Sequence, residues 1–279
     1  MKTKNHQPPA SKTYCRVLTI AGSDSGGGAG IQADLKTFAA IGCYGMSAIT
    51  ALTAQNTQGV TDIHAVPPGF AAAQLDAIFS DIGADAVKIG MLFSSELIQT
   101  IADRLITHRA SKIVLDPVMV AQSGDKLLQD EAIEAIKKHL MPLADVVTPN
   151  LPEAEVLLGQ SLSSPDTIRA AAKTLCQFGS RSVLIKGGHE ETQNSTDILY
   201  LAAEDRWIEL PDDRIVTRNN HGTGCTLSSA IAAYLAKGNA LETAVKAAKA
   251  YISKAIQAGA GYKIGHGHGP VHHFFNYWE

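Results

Sequence analysis

Short apolar runs alternate with helical patterns along almost the whole chain, and this alternation constrains the fold more than any other feature. Runs rich in Val, Ile and Leu at 16–21, 45–51, 87–89, 113–115, 146–147 and 182–185 predict short buried strands. Between them apolar residues recur at a helical period, as at Ile31, Leu35, Phe38 and Ile41. The spacing predicts helices over 31–41, 69–82, 95–109, 131–140, 152–158, 165–178, 224–236 and 241–258. Two further runs, 198–202 and 206–210, separated by Ala203, Glu204 and Asp205, predict a hairpin. Strand–helix alternation of this kind implies an α/β fold, a largely parallel sheet with helices on both faces. No repeat, linker or low-complexity segment divides the pattern, so 15–279 reads as one domain. Residues 1–14, polar and carrying Pro8 and Pro9, are expected to form a disordered tail.

Composition narrows the function classes. The net charge is −3 and no dense Lys/Arg cluster occurs, so the chain lacks the footprint of a nucleic-acid binder. No apolar run approaches the ~18 residues that a membrane helix needs. The four cysteines, Cys15, Cys43, Cys176 and Cys225, stand far apart with no CxxC pair. That spacing speaks against a zinc site or disulfide scaffold and for a reducing, cytoplasmic compartment.

In open parallel sheets ligands bind beyond the carboxyl ends of the strands. The chemistry-bearing residues fall there: a Gly-rich stretch after Ala21, Gln55 and Asn56 after Ala51, Gly90 and Met91 after Ile89, Asp116 and Pro117 after Leu115, Asn150 after Val147, and Lys186 after Ile185. The stretch 22–30 (GSDSGGGAG) permits close backbone approach, and its free N–H groups at a helix start are expected to attract anions or polar ligand groups. The same stretch also suits a plain strand-to-helix turn. A dinucleotide fingerprint fits it poorly, because no Asp or Glu lies between Leu35 and Thr61 to hold a ribose. A Walker A loop is excluded, since Gly-Lys occurs nowhere in the chain.

Phosphate binding is instead expected at 221–226 (HGTGCT), which precedes an Ala-rich apolar helix. Gly222 and Gly224 allow a tight turn whose amides and helix dipole form an anion hole. Cys225 then occupies the first helical turn, where a thiol pKa is expected to fall. The other cysteines read as structural. Asn150 and Glu153, three residues apart, either present oxygen ligands for Mg²⁺ or simply cap a helix. Lys186 either reaches a phosphate or is solvated, and Asp116 either polarises the metal region or caps a turn. The histidine-bearing string 265–270 and His272 and His273 read as a closing loop rather than a metal site.

Seven strings carry a resemblance: 19–36 (TIAGSDSGGGAGIQADLK), 50–57 (TALTAQNT), 88–91 (KIGM), 116–119 (DPVM), 148–154 (TPNLPEA), 186–189 (KGGH) and 221–226 (HGTGCT). Together they resemble the ribokinase-like superfamily and, within it, the hydroxymethylpyrimidine/phosphomethylpyrimidine kinases of thiamin biosynthesis. The resemblance implies a three-layer α/β/α sandwich, usually a homodimer, that uses ATP and Mg²⁺. It implies phosphorylation of 4-amino-5-hydroxymethyl-2-methylpyrimidine, then of its monophosphate. On the acceptor side it implies Gln55 at the ring edge, Asp34 and Gly22 at other polar atoms, and Met91 and Val118 against the ring faces. On the donor side it implies Asn150, Lys186, Gly188 and Thr223 around ATP, with Glu153, Asn150 and Asp116 toward the metal. Gly222, Thr223, Gly224 and Lys186 would then neutralise charge on the transferring phosphoryl group. Cys225 takes the place where sugar kinases of the superfamily carry a base Asp. The rival readings are a pyridoxal or pyridoxine kinase of the same fold, a non-catalytic nucleotide or vitamin sensor and, more remotely, an NAD(P)-dependent oxidoreductase.

Overall fold

A computed structural model describes residues 12–119, 130–187 and 195–278. Of the expected tail, 1–11 lies outside these residues. The parallel core of the sheet is built from β1 (Arg16–Asp24), β2 (Tyr44–Asn56), β4 (Ala86–Ile89), β5 (Ile113–Leu115), β6 (Val146–Val147) and β7 (Ser182–Ile185). Three antiparallel strands flank it: β3 (Gly59–Ala65) at one edge, β8 (Asp197–Leu201) and β9 (Arg206–Leu210) at the other. One nine-stranded sheet results, in the order β3-β2-β1-β4-β5-β6-β7-β8-β9.

Helices α2 (Pro68–Asp81), α3 (Ser95–Thr107), α4 (Asp130–Ala135), α5 (Leu151–Leu158) and α6 (Pro165–Cys176) pack on one face. Helices α1 (Gly30–Ile41), α7 (Thr223–Ala236) and α8 (Leu241–Gly259) cover the other. Alternation along the strands feeds both layers: Leu18 and Ile20 join the first core, Val17 the second. Every residue of β4, β5 and β7 is buried, as a parallel sheet covered on both sides requires. The expected three-layer α/β/α architecture is therefore the observed one.

Three elements differ from expectation. β2 runs five residues past Ala51, and β3 pairs back on it. Beyond Ala51 the half-buried positions carry polar Thr53 and Gln55 while Leu52 and Ala54 are exposed, so no core-facing apolar pattern reveals the strand. β1 continues to Asp24 through a bulge between Ala21 and Ser23. The helix expected over 131–140 is α-helical only to Ala135, then widens to a π-helical turn over Ile136–Leu140. The string 265–270 does close over the sheet edge, the His268 N–H donating to the Thr57 carbonyl at 2.8 Å.

Register positions the site. Ile20 pairs with Ile89, Ile89 with Leu115, and Leu115 with Val147, so Gly90, Asp116 and Thr148 emerge side by side at the carboxyl ends of their strands. The N-terminus of α7 faces that row.

Candidate active site

Two glycine loops from opposite ends of the chain meet above β1. Gly222 caps α7 with φ +78°, and a Cβ on it would lie 1.9 Å from the Gly28 carbonyl oxygen. A Cβ on Gly28 would in turn lie 2.3 Å from Cδ2 of His221. Only residues without side chains allow this contact. The amides of 22–30 are not free, contrary to expectation. The Asp24 carboxylate folds back to accept N–H groups from Gly26 (2.8 Å), Gly28 (3.0 Å) and Ala29 (2.8 Å). An internal anion thus fills the nest that an external one would use.

At the start of α7 the Thr223 N–H donates to the Asn220 carbonyl at 3.3 Å, while a helix's first N–H groups have no intrahelical acceptor. A charged cluster lies against that helix end. Lys186, on the peptide after β7, places Nζ 2.9 Å from Asp116 Oδ1 and 3.8 Å from Glu153 Oε2. A Cβ on Gly224 would lie 3.4 Å from that ammonium. Burial opposes the Lys186 charge, yet Asp116 and Glu153 hold its pKa above the usual lysine value. Burial likewise opposes the Asp116 carboxylate, but Lys186 and Lys88, with hydrogen bonds from Lys186 and Ser228, keep its pKa low. Glu153 goes the other way: burial, with repulsion from Asp116, pushes it up to about 7 against the pull of Lys186 and the Asn150 and Met119 amides.

Asn150 and Glu153 form a reciprocal cap of α5. The Glu153 N–H donates to Asn150 Oδ1 and the Asn150 N–H to Glu153 Oε2, both at 2.8 Å. The capping alternative is therefore realised, and it fixes Glu153 toward Lys186. Of the three expected metal residues, Asp116 and Glu153 come together, while the Asn150 oxygen is engaged by the cap. Two hard carboxylates beside the N-terminus of α7 fit Mg²⁺, which keeps several waters and takes one or two carboxylates plus substrate phosphates. Among the described residues no group of three or more His, Cys, Asp or Glu forms a closed metal cage.

Cys225 corrects the sequence reading. The Gly30 N–H and Lys88 favour its thiolate, but burial dominates, aided by Asp34 and Asp116, and pushes the thiol up to about 11 rather than down. Beneath it lies a buried pair. Lys88 Nζ bonds both oxygens of Asp34 (3.0 and 2.9 Å), which also accept from Thr19 (2.6 Å) and Ser229 (2.7 Å). Asp34, expected at polar atoms of the acceptor, is fully buried with both oxygens engaged. Ser228 donates to Asp116 at 3.1 Å, so consecutive serines of α7 fasten the helix to two carboxylates.

The remaining expected residues are placed as follows. Gly22 lies against Met91, where a Cβ would come within 3.0 Å of the methionine methyl. Val118 is half-buried two residues beyond Asp116. Gln55 Oε1 accepts from Thr53 at 3.1 Å and Nε2 lies 3.4 Å from His221 Nε2. The Thr223 hydroxyl donates to the Asn220 carbonyl at 2.7 Å. Gly188 lies outside the described residues. Sequence reasoning assigned no role to Asp24, His221, Lys88, Ser228 or Ser229. For Lys88, Ser228 and Ser229 the one signal was a polar residue inside an otherwise apolar strand or helix; Asp24 and His221, set among Gly, Ser and Asn, carried none.

No helix among the described residues is long and apolar enough to cross a membrane. Residues 24–272 match the family model described as phosphomethylpyrimidine kinase. A hydroxymethylpyrimidine/phosphomethylpyrimidine kinase of Rhizobium meliloti is 53% identical over 263 residues, covering 94% of this chain and 98% of that protein. A thiamine biosynthesis bifunctional protein of Geobacter sulfurreducens is 54% identical over 92% of this chain, which spans about half (52%) of that relative. Among solved structures, the pyridoxal kinase of Staphylococcus aureus in complex with AMP-PCP and pyridoxal is similar with a TM-score of 0.87. Its identity is 38%, and the match covers 95% of this chain and 96% of that one. A family match over nearly the whole chain, on a ribokinase-like fold whose strand ends carry the charged cluster, makes this protein a member of the phosphomethylpyrimidine kinase family.

Proposed function

We propose that the chain transfers the γ-phosphoryl group of ATP to the hydroxymethyl group of 4-amino-5-hydroxymethyl-2-methylpyrimidine, and then phosphorylates the resulting monophosphate. The observation that carries this reading is the convergence of Lys186, Asp116 and Glu153 on the first turn of α7 at the carboxyl ends of the parallel strands. Phosphoryl transfer requires positioning and charge neutralisation more than covalent chemistry, and this end of the molecule supplies both. Lys186 and the amides of Gly224 and Cys225 face the developing charge. Gln55 presents an amide, with donor and acceptor together, at the edge where an aminopyrimidine needs both. Asp34, saturated by Lys88, Thr19 and Ser229, fixes α1 and α7 beneath the acceptor instead of offering it a free lone pair.

Mg²⁺, when bound, neutralises phosphate charge, with Asp116 and Glu153 as the residues that would hold it. With its thiol pushed up to about 11, Cys225 contributes through position, close to the acceptor hydroxyl and the helix amides, rather than as a ready base. A loose transition state needs little base assistance. We further infer a single kinase domain over 15–279, a homodimer, and residence in a reducing cytoplasm, the last from four cysteines that remain free thiols.

A pyridoxal kinase reading is the second one. It is supported by the 0.87 TM-score to the Staphylococcus aureus enzyme. ³¹P NMR of the purified protein with Mg·ATP and the hydroxymethylpyrimidine, with pyridoxal in a parallel tube, separates the two. Monophosphate followed by pyrophosphate supports the first reading, pyridoxal phosphate alone the second, and transfer to neither overturns both. Light scattering on the same preparation tests the dimer.

A further inference from the structure

Asp24 touches none of the groups that face the phosphates, yet its carboxylate is 3% exposed and collects four contacts. Three are the amides of its own loop, Gly26, Gly28 and Ala29. The fourth is Nε2 of His221, at 2.9 Å, from a residue 197 positions away. Burial disfavours the charged carboxylate, but the His221 bond and the loop amides together hold its pKa below the ordinary aspartate value.

The loops this pair joins are the two that must be held in register for transfer. Loop 22–30 borders the acceptor side through Gly22 and Met91. Loop 221–224 begins α7 and its phosphate-facing amides. Their backbones touch at Gly28 and Gly222, but glycine contacts limit approach without fixing orientation, since glycine resists few rotations. Gly222 is left-handed, a conformation from which a glycine peptide easily swings. Something outside the glycines must pin it. The His221 main chain is held on one side, its N–H donating to the Gly269 carbonyl at 3.0 Å. Its side chain is held on the other by Asp24.

We propose that Asp24 is a positioning residue: through His221 it ties the acceptor-side loop to the loop that opens the phosphoryl-binding helix, and so sets the separation between the acceptor hydroxyl and the helix amides. This rests on the kinase reading above. A fixed anion hole costs no reorganisation during transfer, so loosening the tie lowers turnover more than it weakens nucleotide binding. The tie also explains why the loop's own amides are taken up by Asp24: the same anion that closes the first loop anchors the second.

The test is a kinetic cycle of Asp24→Asn, His221→Gln and the double variant, with hydroxymethylpyrimidine and Mg·ATP. Asn removes the charge and one acceptor: its single oxygen replaces either Oδ1, which holds Gly26, or Oδ2, which holds Gly28, Ala29 and His221, so the full set of contacts cannot survive. Each single variant is expected to lower kcat about 10- to 100-fold, with KM for ATP little changed. The double variant should be no worse than the more impaired single one. Losses that multiply in the double variant, or an unchanged kcat in both single variants, overturn the proposal.

Amide hydrogen exchange across 222–226, read without substrates, is independent of the reaction. Faster exchange there in both single variants, with α3 unaffected, is expected, and exchange as in the parent overturns the tie. If Asp24→Asn does not fold, His221→Gln alone decides by the same measure, because it leaves the loop amides of Asp24 intact. A parent protein that phosphorylates no acceptor would sink the kinase reading while the exchange result still judges the tie.

Discussion

Lys186 Nζ sits 2.9 Å from Asp116 Oδ1 although 70 residues separate the two in the chain, and Glu153 lies 3.8 Å from the same ammonium. One cation therefore faces two buried carboxylates, with Lys88 also favouring the Asp116 charge. Lys186→Met leaves Glu153 without a cation, leaves Asp116 only Lys88 and its hydroxyl donors, and removes the charge proposed to face the phosphates. Its kcat/KM for ATP should fall about 10²- to 10³-fold. Lys186→Arg should recover only part of the loss, because a planar fork does not replace a compact ammonium at a tight site. Steady-state kinetics of both variants checks this, and activity within threefold of the parent would refute the assignment.

Glu153 gives a pH dependence with a definite sign. An unfolded glutamate titrates near ~4.3, whereas burial and Asp116 push Glu153 up to about 7 in the fold. Between those values the folded state holds the extra proton, so its stability contribution is complete at low pH and is lost as pH rises through about 7. Glu153→Gln should remove that decline. Melting temperatures of parent and variant at pH 5 and pH 8 measure it, and parallel changes in the two proteins would contradict it. Activity with Mg·ATP should rise over the same interval as the carboxylate ionises, and the rise should vanish in the variant.

The thiol of Cys225, pushed up to about 11 by burial, is almost wholly protonated at neutral pH. Alkylation of Cys225 by iodoacetamide, followed by mass spectrometry, should be slow at pH 7 and quicken about tenfold per pH unit up to pH 10. A plateau below pH 8 would restore the low-pKa base that the helix start alone suggests.

Gly222→Ala tests the loop contact. The left-handed backbone alone costs a non-glycine residue about 1–2 kcal/mol, and the added Cβ would meet the Gly28 carbonyl oxygen at 1.9 Å. Relief requires moving 22–30 and 221–224 apart. The variant should lose several degrees of melting temperature and most of its turnover, while Gly238→Ala, also left-handed (φ +89°) but with nothing near its Cβ, should lose stability only. Equal activity in both variants would show that the contact does not matter.

Much of the fold is legible in the chain. Short Val/Ile/Leu runs bounded by turns mark β4, β5 and β7 because those strands are buried on both faces and need no partner-specific pattern. β3 and the far half of β2 escape detection because their few apolar residues, such as the exposed Leu52, do not line one buried face. The candidate site is readable in the same graded way. Lys186, Asp116, Asn150 and Glu153 declare themselves by following strands. Asp24, His221 and Lys88 do not, since Asp24 and Lys88 lie within strands rather than after them, His221 follows no strand, and only their folded contacts mark them.

By itself the sequence determined the layer order and the row of strand ends where chemistry collects, because both follow from local periodicity and from turn residues adjacent to it. It also determined where glycines permit backbones to meet. Only the tertiary structure decided the charges. The first turn of a helix argues for an acidic thiol at Cys225 and for an ionised carboxylate at Glu153. Both are reversed by burial, which depends on every layer packed around a group and on no residue beside it in the chain.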